Sequence, residues 1–483
     1  MVSQNYNFES NFDLLNNFKN DEKKYREKLG KKFGRISFSQ NIIFNSGHSN
    51  IDNLDILFSG GKKTNFTSAN ISLGGKFFYL RLEPYRKTTN GEFLKNNLIS
   101  HEDLKDPYFS TFQKNNNYSQ SPGESFGLRN SFILLHFNGL GIGYGNMNHW
   151  WGPGFHSALT LSTNAPSIKT YSLGTFKDIS FGPISFGLKV VSMPYTNSRK
   201  NNIFLSGIKS HITYVSNPIV TVGFHRTFLS GDFGSNITGT NQIRRWTIKD
   251  ATKLVIEPLF GQNKAGISYT QPNTPGFDAW DQLLSGYIKI KFPKDGIEFY
   301  ADVASDDNRG NFTDLRAHWD HTLGYQLGLK KISNIGKDKF VTGVEYLSTK
   351  VSNTFNQKFY RGNPNAVNFY AKTIYDYFTN SGRRMGAHSG SSSDDMIFAI
   401  GFINNLRSIF ISYNKERHGI KTMEYPEIKS EFIFSYNYNI LPNHTLSISI
   451  ELEGINNFGY ILNNYSESKL FWIGYNYYTN FKF

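Results

Sequence analysis

The chain is predicted to be all-β: a transmembrane outer-membrane β-barrel of about eighteen antiparallel strands, with a plugged lumen and a short N-terminal helical segment. Three observations predict it. Period-2 alternation runs through almost the whole chain beyond Arg35. The connections between alternating segments are short and long in turn, as short periplasmic turns and long outer loops would be. The composition is poor in aliphatics but rich in aromatics and glycine, with 38% apolar and 16% aromatic residues, Phe 43, Tyr 28 and Gly 43. That mixture suits aromatic girdles around a polar lumen.

The rest of the composition narrows the classes. No apolar run approaches the 18 or so residues a membrane helix needs. Cysteine is absent, so a disulfide framework and a thiolate metal site are both excluded. The net charge of +14 at pH 7, with a pI near 9.4, suits an anionic membrane surface or an anionic polymer. No helix-turn-helix, zinc-finger or RNA-binding signature accompanies it, so nucleic acid is not an expected partner. The start Met1-Val2-Ser3-Gln4-Asn5 has no basic-then-apolar leader. An exported chain would therefore be present here in its mature form.

Taken in order, Asn11 to Lys32 places Leu14, Leu15, Phe18, Tyr25 and Leu29 among charges at a spacing suited to a short amphipathic helix. The expected division is therefore 1–34 as a periplasmic helical segment and 35–483 as the barrel. Strands are expected at 35–44, 65–74, 76–85, 131–137, 139–146, 176–182, 184–193, 203–216 and 221–231. They continue at 282–292, 297–306, 322–332, 338–351, 396–404, 407–415, 429–440, 445–456 and 469–483. Within them, Ile297, Phe299, Ala301 and Val303 oppose Glu298, Tyr300 and Asp302, and Leu446, Ile448, Ile450 and Leu452 oppose Ser447, Ser449, Glu451 and Glu453. A soluble sandwich also alternates. An aromatic and leucine-rich outward face in strand after strand marks the membrane barrel. The last strand ends on aromatic Phe483, which resembles the terminal recognition signal of such barrels.

The stretch most suited to function is Asn148-His149-Trp150-Trp151-Gly152-Pro153-Gly154-Phe155-His156-Ser157 and on to Ser167. Two tryptophans followed by Gly-Pro-Gly cannot extend a strand or a helix, because proline lacks a donor and glycine admits sharp turns. The segment is a shaped loop that fixes two large rings, the kind of element on which a rigid scaffold presents function. Two roles suit these rings: stacking on a ligand, or wedging the loop inside the barrel as a plug.

Trp-Trp-Gly-Pro-Gly followed by Ser-x-Leu-x-Leu-Ser-x-Asn-Ala-Pro resembles the Wzi-type capsule-assembly proteins of the outer membrane. Further collinear blocks carry the resemblance: Leu54 to Gly61 with Tyr79 to Pro84, Pro122 to Arg129, Asp281-Gln282-Leu283 with Glu298 to Asp302, Asp320 to Tyr325, and Thr379 to Gly386. The tryptophan block is specific; the others are individually weak. Loops 86–130 and 232–281 otherwise show little that matches, and the helical N-terminal bundle of enterobacterial relatives is reduced to 1–34.

The resemblance implies an outer-membrane lectin that holds capsular or other surface polysaccharide at the surface of a Gram-negative cell, without a cofactor. The candidate glycan-binding residues are His149, Trp150 and Trp151 for stacking, Asn148 and Asn164 for hydrogen bonds, and Arg383 and Arg384 for acidic sugars. Surface polysaccharide and outer-membrane lipid are the expected partners. A role in a larger surface assembly with other outer-membrane or surface proteins, and a passive pore, are the alternatives.

Catalysis is not expected. His149, His156 and Ser157, or Asp320 and His321, are sequence neighbours of the kind that rarely form a triad alone, and no G-x-S-x-G elbow is present. Asp306, Asp307 and Asp314 lack EF-hand spacing, so no metal loop is expected.

Overall fold

The computed structural model describes residues 28–48, 52–57, 62–90, 123–196, 202–232, 281–306, 320, 323–350, 369–370, 378–381, 383–421 and 423–481. The expected helix at 11–32 lies almost wholly outside these residues. Its last part, 28–30, is a turn leading into the first strand.

Eighteen strand positions close one antiparallel barrel. The first half comprises β1 (Phe33–Asn45), β2 (Lys62–Gly74), β3 (Phe78–Leu82 with Pro84–Thr89), β4 (Gly123–Leu128 with Ser131–Phe137) and β5 (Leu140–Asn146). It continues with β6 (Lys169–Thr175 with Ile179–Phe181), β7 (Ile184–Thr196), β8 (Asn202–Tyr214) and β9 (Ile219–Asp232). The second half comprises β10 (Asp281–Phe292), β11 (Ile297–Asp306), β12 (Leu323–Ile335), β13 (Asp338–Ser348) and β14 (Asp394–Ile403). It ends with β15 (Arg407–His418), β16 (Glu427–Leu441), β17 (His444–Asn456) and β18 (Tyr465–Phe481). Each pairs with the next, and β1 pairs with β18 from Gly34↔Phe481 to Asn45↔Leu470, so the barrel strands among the described residues close on themselves. In a membrane closure is required, because an unpaired backbone edge in hydrocarbon would leave its polar groups unsatisfied.

The side chains sort as the alternation predicts. Ile133, Leu135, Phe299, Val303, Leu327, Phe398, Phe432 and Leu452 are exposed on the outer face. Between them, Glu298, Asp302, Gln326, Glu345, Asn414, Glu416 and Glu451 are buried towards the lumen. The outer band meets lipid and the inner face is polar, as in outer-membrane barrels.

The structure corrects several boundaries. The first strand begins at Phe33, inside the segment expected to precede the barrel. The strand expected at 176–182 begins at Lys169 and is broken before Ile179. The expected loop 86–130 contains strand at both ends, Pro84–Thr89 paired with Gly123–Leu128. The break in β3 at Glu83 and that in β4 at Arg129 and Asn130 lie side by side, with Arg129 N–H bonded to Glu83 O at 2.9 Å. A break of this kind re-aims side chains, and here it turns Glu83 and Arg129 inward.

Candidate functional site: a loop folded into the barrel

Residues 147–168, between β5 and β6, fold into the lumen rather than away from it. Their partners are inward-facing side chains of the barrel wall. The amide N–H groups of Phe155 and Ser157 donate to the Glu345 carboxylate on β13 at 2.6 and 2.7 Å, and that of His156 at 3.2 Å. Tyr300 on β11 donates its hydroxyl to the same carboxylate, and Gln326 Nε2 on β12 donates at 2.6 Å. Gln326 Nε2 also donates to Ser157 O at 2.8 Å. Three successive amides with two side-chain donors form a nest around one anion. Gly154 permits the approach, since a Cβ there would collide with the Gln326 side chain and Ser157 O.

The tryptophans seat the near side of this loop. Trp151 is fully buried (0% exposed), its N–H bonds Leu161 O at 2.9 Å, and its ring lies against Gly207 of β8 and His225 of β9. Trp150 Nε1 donates to Gly154 O at 3.1 Å, closing the Gly-Pro-Gly turn. Gly152 has φ 151°, a conformation favouring glycine. His149 Nε2 lies 3.1 Å from Thr170 Oγ1.

Asn148 Nδ2 donates to Asp55 Oδ2 at 2.7 Å, and Arg129 Nε donates to that same oxygen at 2.9 Å. Arg129 Nη1 reaches Glu83 Oε1 at 2.9 Å. The inward breaks of β3 and β4 thus hold the short helical turn Asp55–Leu57 against the start of the loop.

The later part of the loop meets the outer residues 378–381 and 383–393. Arg383 Nη2 donates to Asn164 Oδ1 at 2.5 Å, and Asn164 Nδ2 donates to Arg384 O at 3.0 Å. Arg384 is fully buried (0% exposed), with its guanidinium 4.9 Å from the Tyr370 ring. Tyr370 donates its hydroxyl to Leu159 O and accepts from Ala387 N–H at 3.0 Å. Burial pushes the Tyr370 phenol above its ordinary range, so it stays a neutral donor.

All seven candidate residues are therefore buried in or beside this loop, in two groups. Asn164, Arg383 and Arg384 touch one another. Asn148, His149, Trp150 and Trp151 form the other group, with Asp55, Arg129 and the β8–β9 wall, and Asp55 N–H links the two by bonding Thr163 O at 2.8 Å.

A charged cluster that no sequence motif marks lies near Arg383, which reaches Asp52 at 3.8 Å. Lys429 Nζ reaches Asp52 at 2.7 Å, Glu416 at 2.9 Å, Glu453 at 3.5 Å and Glu431 at 3.7 Å. Burial raises the Asp52 carboxyl, but Lys429 and His388 outweigh that and hold it at about 2. Beside it, His388 Nε2 lies 3.2 Å from Asp395 Oδ2 and 3.6 Å from Glu416 Oε1. Burial disfavours a charged His388, yet Glu416 and Asp395 raise its pKa well above the ordinary value. The available signal was charge at inward positions of membrane strands, which is expensive unless it is paired or functional. On the short-turn side, a cavity of about 520 Å³ is lined by Arg35, Asn41, Asn70, Arg81, Trp472 and Tyr478 among others.

The closed barrel with its lipid-facing outer band and inserted loop defines an outer-membrane β-barrel protein. The family model described as capsule assembly protein Wzi matches residues 83–466, and the chain belongs to that family. Among solved structures it is similar to Wzi of Escherichia coli, an outer-membrane protein involved in group 1 capsule assembly and a carbohydrate-binding β-barrel. That likeness has a TM-score of 0.58 at 11% identity, covering 96% of this chain and 87% of the other. OccK7 (OpdD) of Pseudomonas aeruginosa matches with a TM-score of 0.46 at 7% identity, covering 93% of this chain and 99% of that one. OpdL of the same organism gives 0.44 at 9%, covering 94% and 99% respectively. No curated protein sequence matches the chain.

Proposed function

We propose that this protein binds or anchors surface polysaccharide of the capsular kind at the outer membrane, without catalysis. The observation that carries the reading is membership of the capsule-assembly family over residues 83–466. A fold like that of a carbohydrate-binding barrel agrees with it.

The inserted loop supports binding over passage. It contacts the β8–β9 wall at Trp151 and Glu345 on β13, which supports a plugged lumen. A passive pore needs an open lumen. The surface left for work is then the outer loops. Trp150, Trp151, His149, Asn148, Asn164, Arg383 and Arg384 belong to the proposed glycan site through the loop they shape. Their burial supports a positioning role, with stacking on sugar following only if the loop moves.

The test is binding of the detergent-purified protein to polysaccharide extracted from its own cells, beside Trp150→Ala/Trp151→Ala, both checked as heat-modifiable barrels. Saturable binding by the wild type that the double variant loses supports the reading with the tryptophan loop at its centre. Retained binding in the double variant moves the contact to other loops. No binding by either, together with steady conductance in planar bilayers, overturns it in favour of a pore.

A further inference from the structure

We propose that His156, His388 and Asp395 form a site for a divalent transition-metal ion of the zinc type, which clips the inserted loop to an outer loop and to the barrel wall. The three ligands come from three elements: His156 from the inserted loop, His388 from the segment preceding β14, and Asp395 from the outer end of β14. Their ligating atoms converge within 4.8 Å of one another, and all three residues are buried.

The spacing is that of ligands around a small tetrahedral ion. Bonds of about 2.0–2.1 Å in tetrahedral geometry put neighbouring ligand atoms about 3.4 Å apart. Here Asp395 Oδ2 lies 3.2 Å from His388 Nε2 and 3.4 Å from His156 Nε2. The two imidazoles meet edge to face with centroids 4.7 Å apart. Two imidazoles and a carboxylate are a donor set that zinc accepts. Glu416 Oε1, 3.6 Å from His388 Nε2, or a water fills the fourth position.

Asp395 supplies the second observation. It is 2% exposed; its Oδ2 faces only the two imidazole nitrogens, and its Oδ1 is buried without a hydrogen-bond partner. A buried carboxylate normally has hydrogen bonds or a metal to offset the loss of water. A second buried carboxylate, Glu416, stands 3.6 Å from His388 Nε2, so the surroundings favour a cation.

The second layer of the site suits it as well. A metal-bound imidazole donates its other N–H to an acceptor. His388 Nδ1 is 3.2 Å from the Asn53 amide, whose Oδ1 is buried without a partner. Turning that amide over presents Oδ1 to His388 Nδ1–H, at the cost of the Asn53 bond to His156 O.

The experiment uses the full chain in detergent, stripped with EDTA and dialysed against micromolar zinc chloride. Bound zinc is counted by mass spectrometry in wild type, His388→Gln and Asp395→Asn, all checked for heat-modifiability. The expected result is stoichiometric zinc in the wild type and binding weakened about 10–100-fold or more in each variant. Should a variant fail to fold, cobalt(II) added to the stripped wild type decides. An intense visible spectrum of tetrahedral cobalt supports the site, and the pale spectrum of hydrated cobalt overturns it. Wild type retaining no more zinc than folded variants also overturns it, leaving His388 as a side-chain partner of Asp395 and Glu416 alone. None of these outcomes depends on whether the outer loops bind glycan.

Discussion

Glu345 Oε1 accepts the amide N–H of Ser157 at 2.7 Å, joining β13 to a loop 188 residues away in sequence. Phe155 and His156 amides converge on the same carboxylate, so one side chain fixes the tip of the inserted loop. Losing it would leave buried donors without an acceptor, and each charged hydrogen bond is worth about 1.5–3 kcal/mol. Glu345→Ala is expected to cost the docked loop about 2 kcal/mol or more. Amide exchange at 155–157 should then quicken roughly 30-fold while the barrel amides keep their protection. Unchanged exchange would show that the loop is held elsewhere.

Trp151 packs where β8 has Gly207, and an added Cβ at Gly207 would stand 2.7 Å from the ring edge. Gly207→Val should therefore lift Trp151 from its seat, a loss of about 1–3 kcal/mol from overpacking. Trp151→Ala should cost about 3–5 kcal/mol by leaving a cavity. Limited proteolysis within 147–168 in folded barrels reads both changes, and wild-type resistance in both would disprove the wedge.

Asp55, Arg129 and Asn148 form one buried network. Arg129→Met removes the cation between Asp55 and Glu83 and is expected to destabilise by about 3–5 kcal/mol, as when one partner of a buried pair is lost. Asn148→Ala, which removes a neutral donor, should cost about 1–3 kcal/mol. Urea unfolding in lipid vesicles would give the order; equal costs would contradict the network.

The outer face is testable position by position. Leu329 of β12 is on the outer face and Gln326 of the same strand is buried towards the lumen. Leu329→Arg should cost about 2–4 kcal/mol in a bilayer, the penalty for a charge among acyl chains. The same substitution should have little effect if that face were in water, so refolding yield into vesicles distinguishes the two.

Much of the fold was legible. Period 2 is a property of consecutive residues, so Ile297 to Val303 declared its two faces without knowledge of any neighbour. The short and long connections then set the order and the two ends. The misplaced boundaries fall where local pattern is weak. The break at Glu83 and Arg129 interrupts alternation, and Gly123 to Leu128 has strand form only because it pairs with Pro84 to Thr89. The Gly-Pro-Gly stretch announced a shaped loop, because those residues restrict backbone geometry by themselves.

What the sequence determined by itself is therefore the barrel, its lipid-facing band and the existence of a rigid tryptophan loop, since each follows from residues near one another in the chain. Only the tertiary structure decided that this loop turns into the lumen, that Glu345 receives it, and that His156, His388 and Asp395 meet. Those contacts join residues up to 239 positions apart, and closure of β1 on β18 is what brings the strands bearing them around one interior. A side chain's parity tells which face it occupies; the curvature of the closed sheet tells what it faces across the lumen.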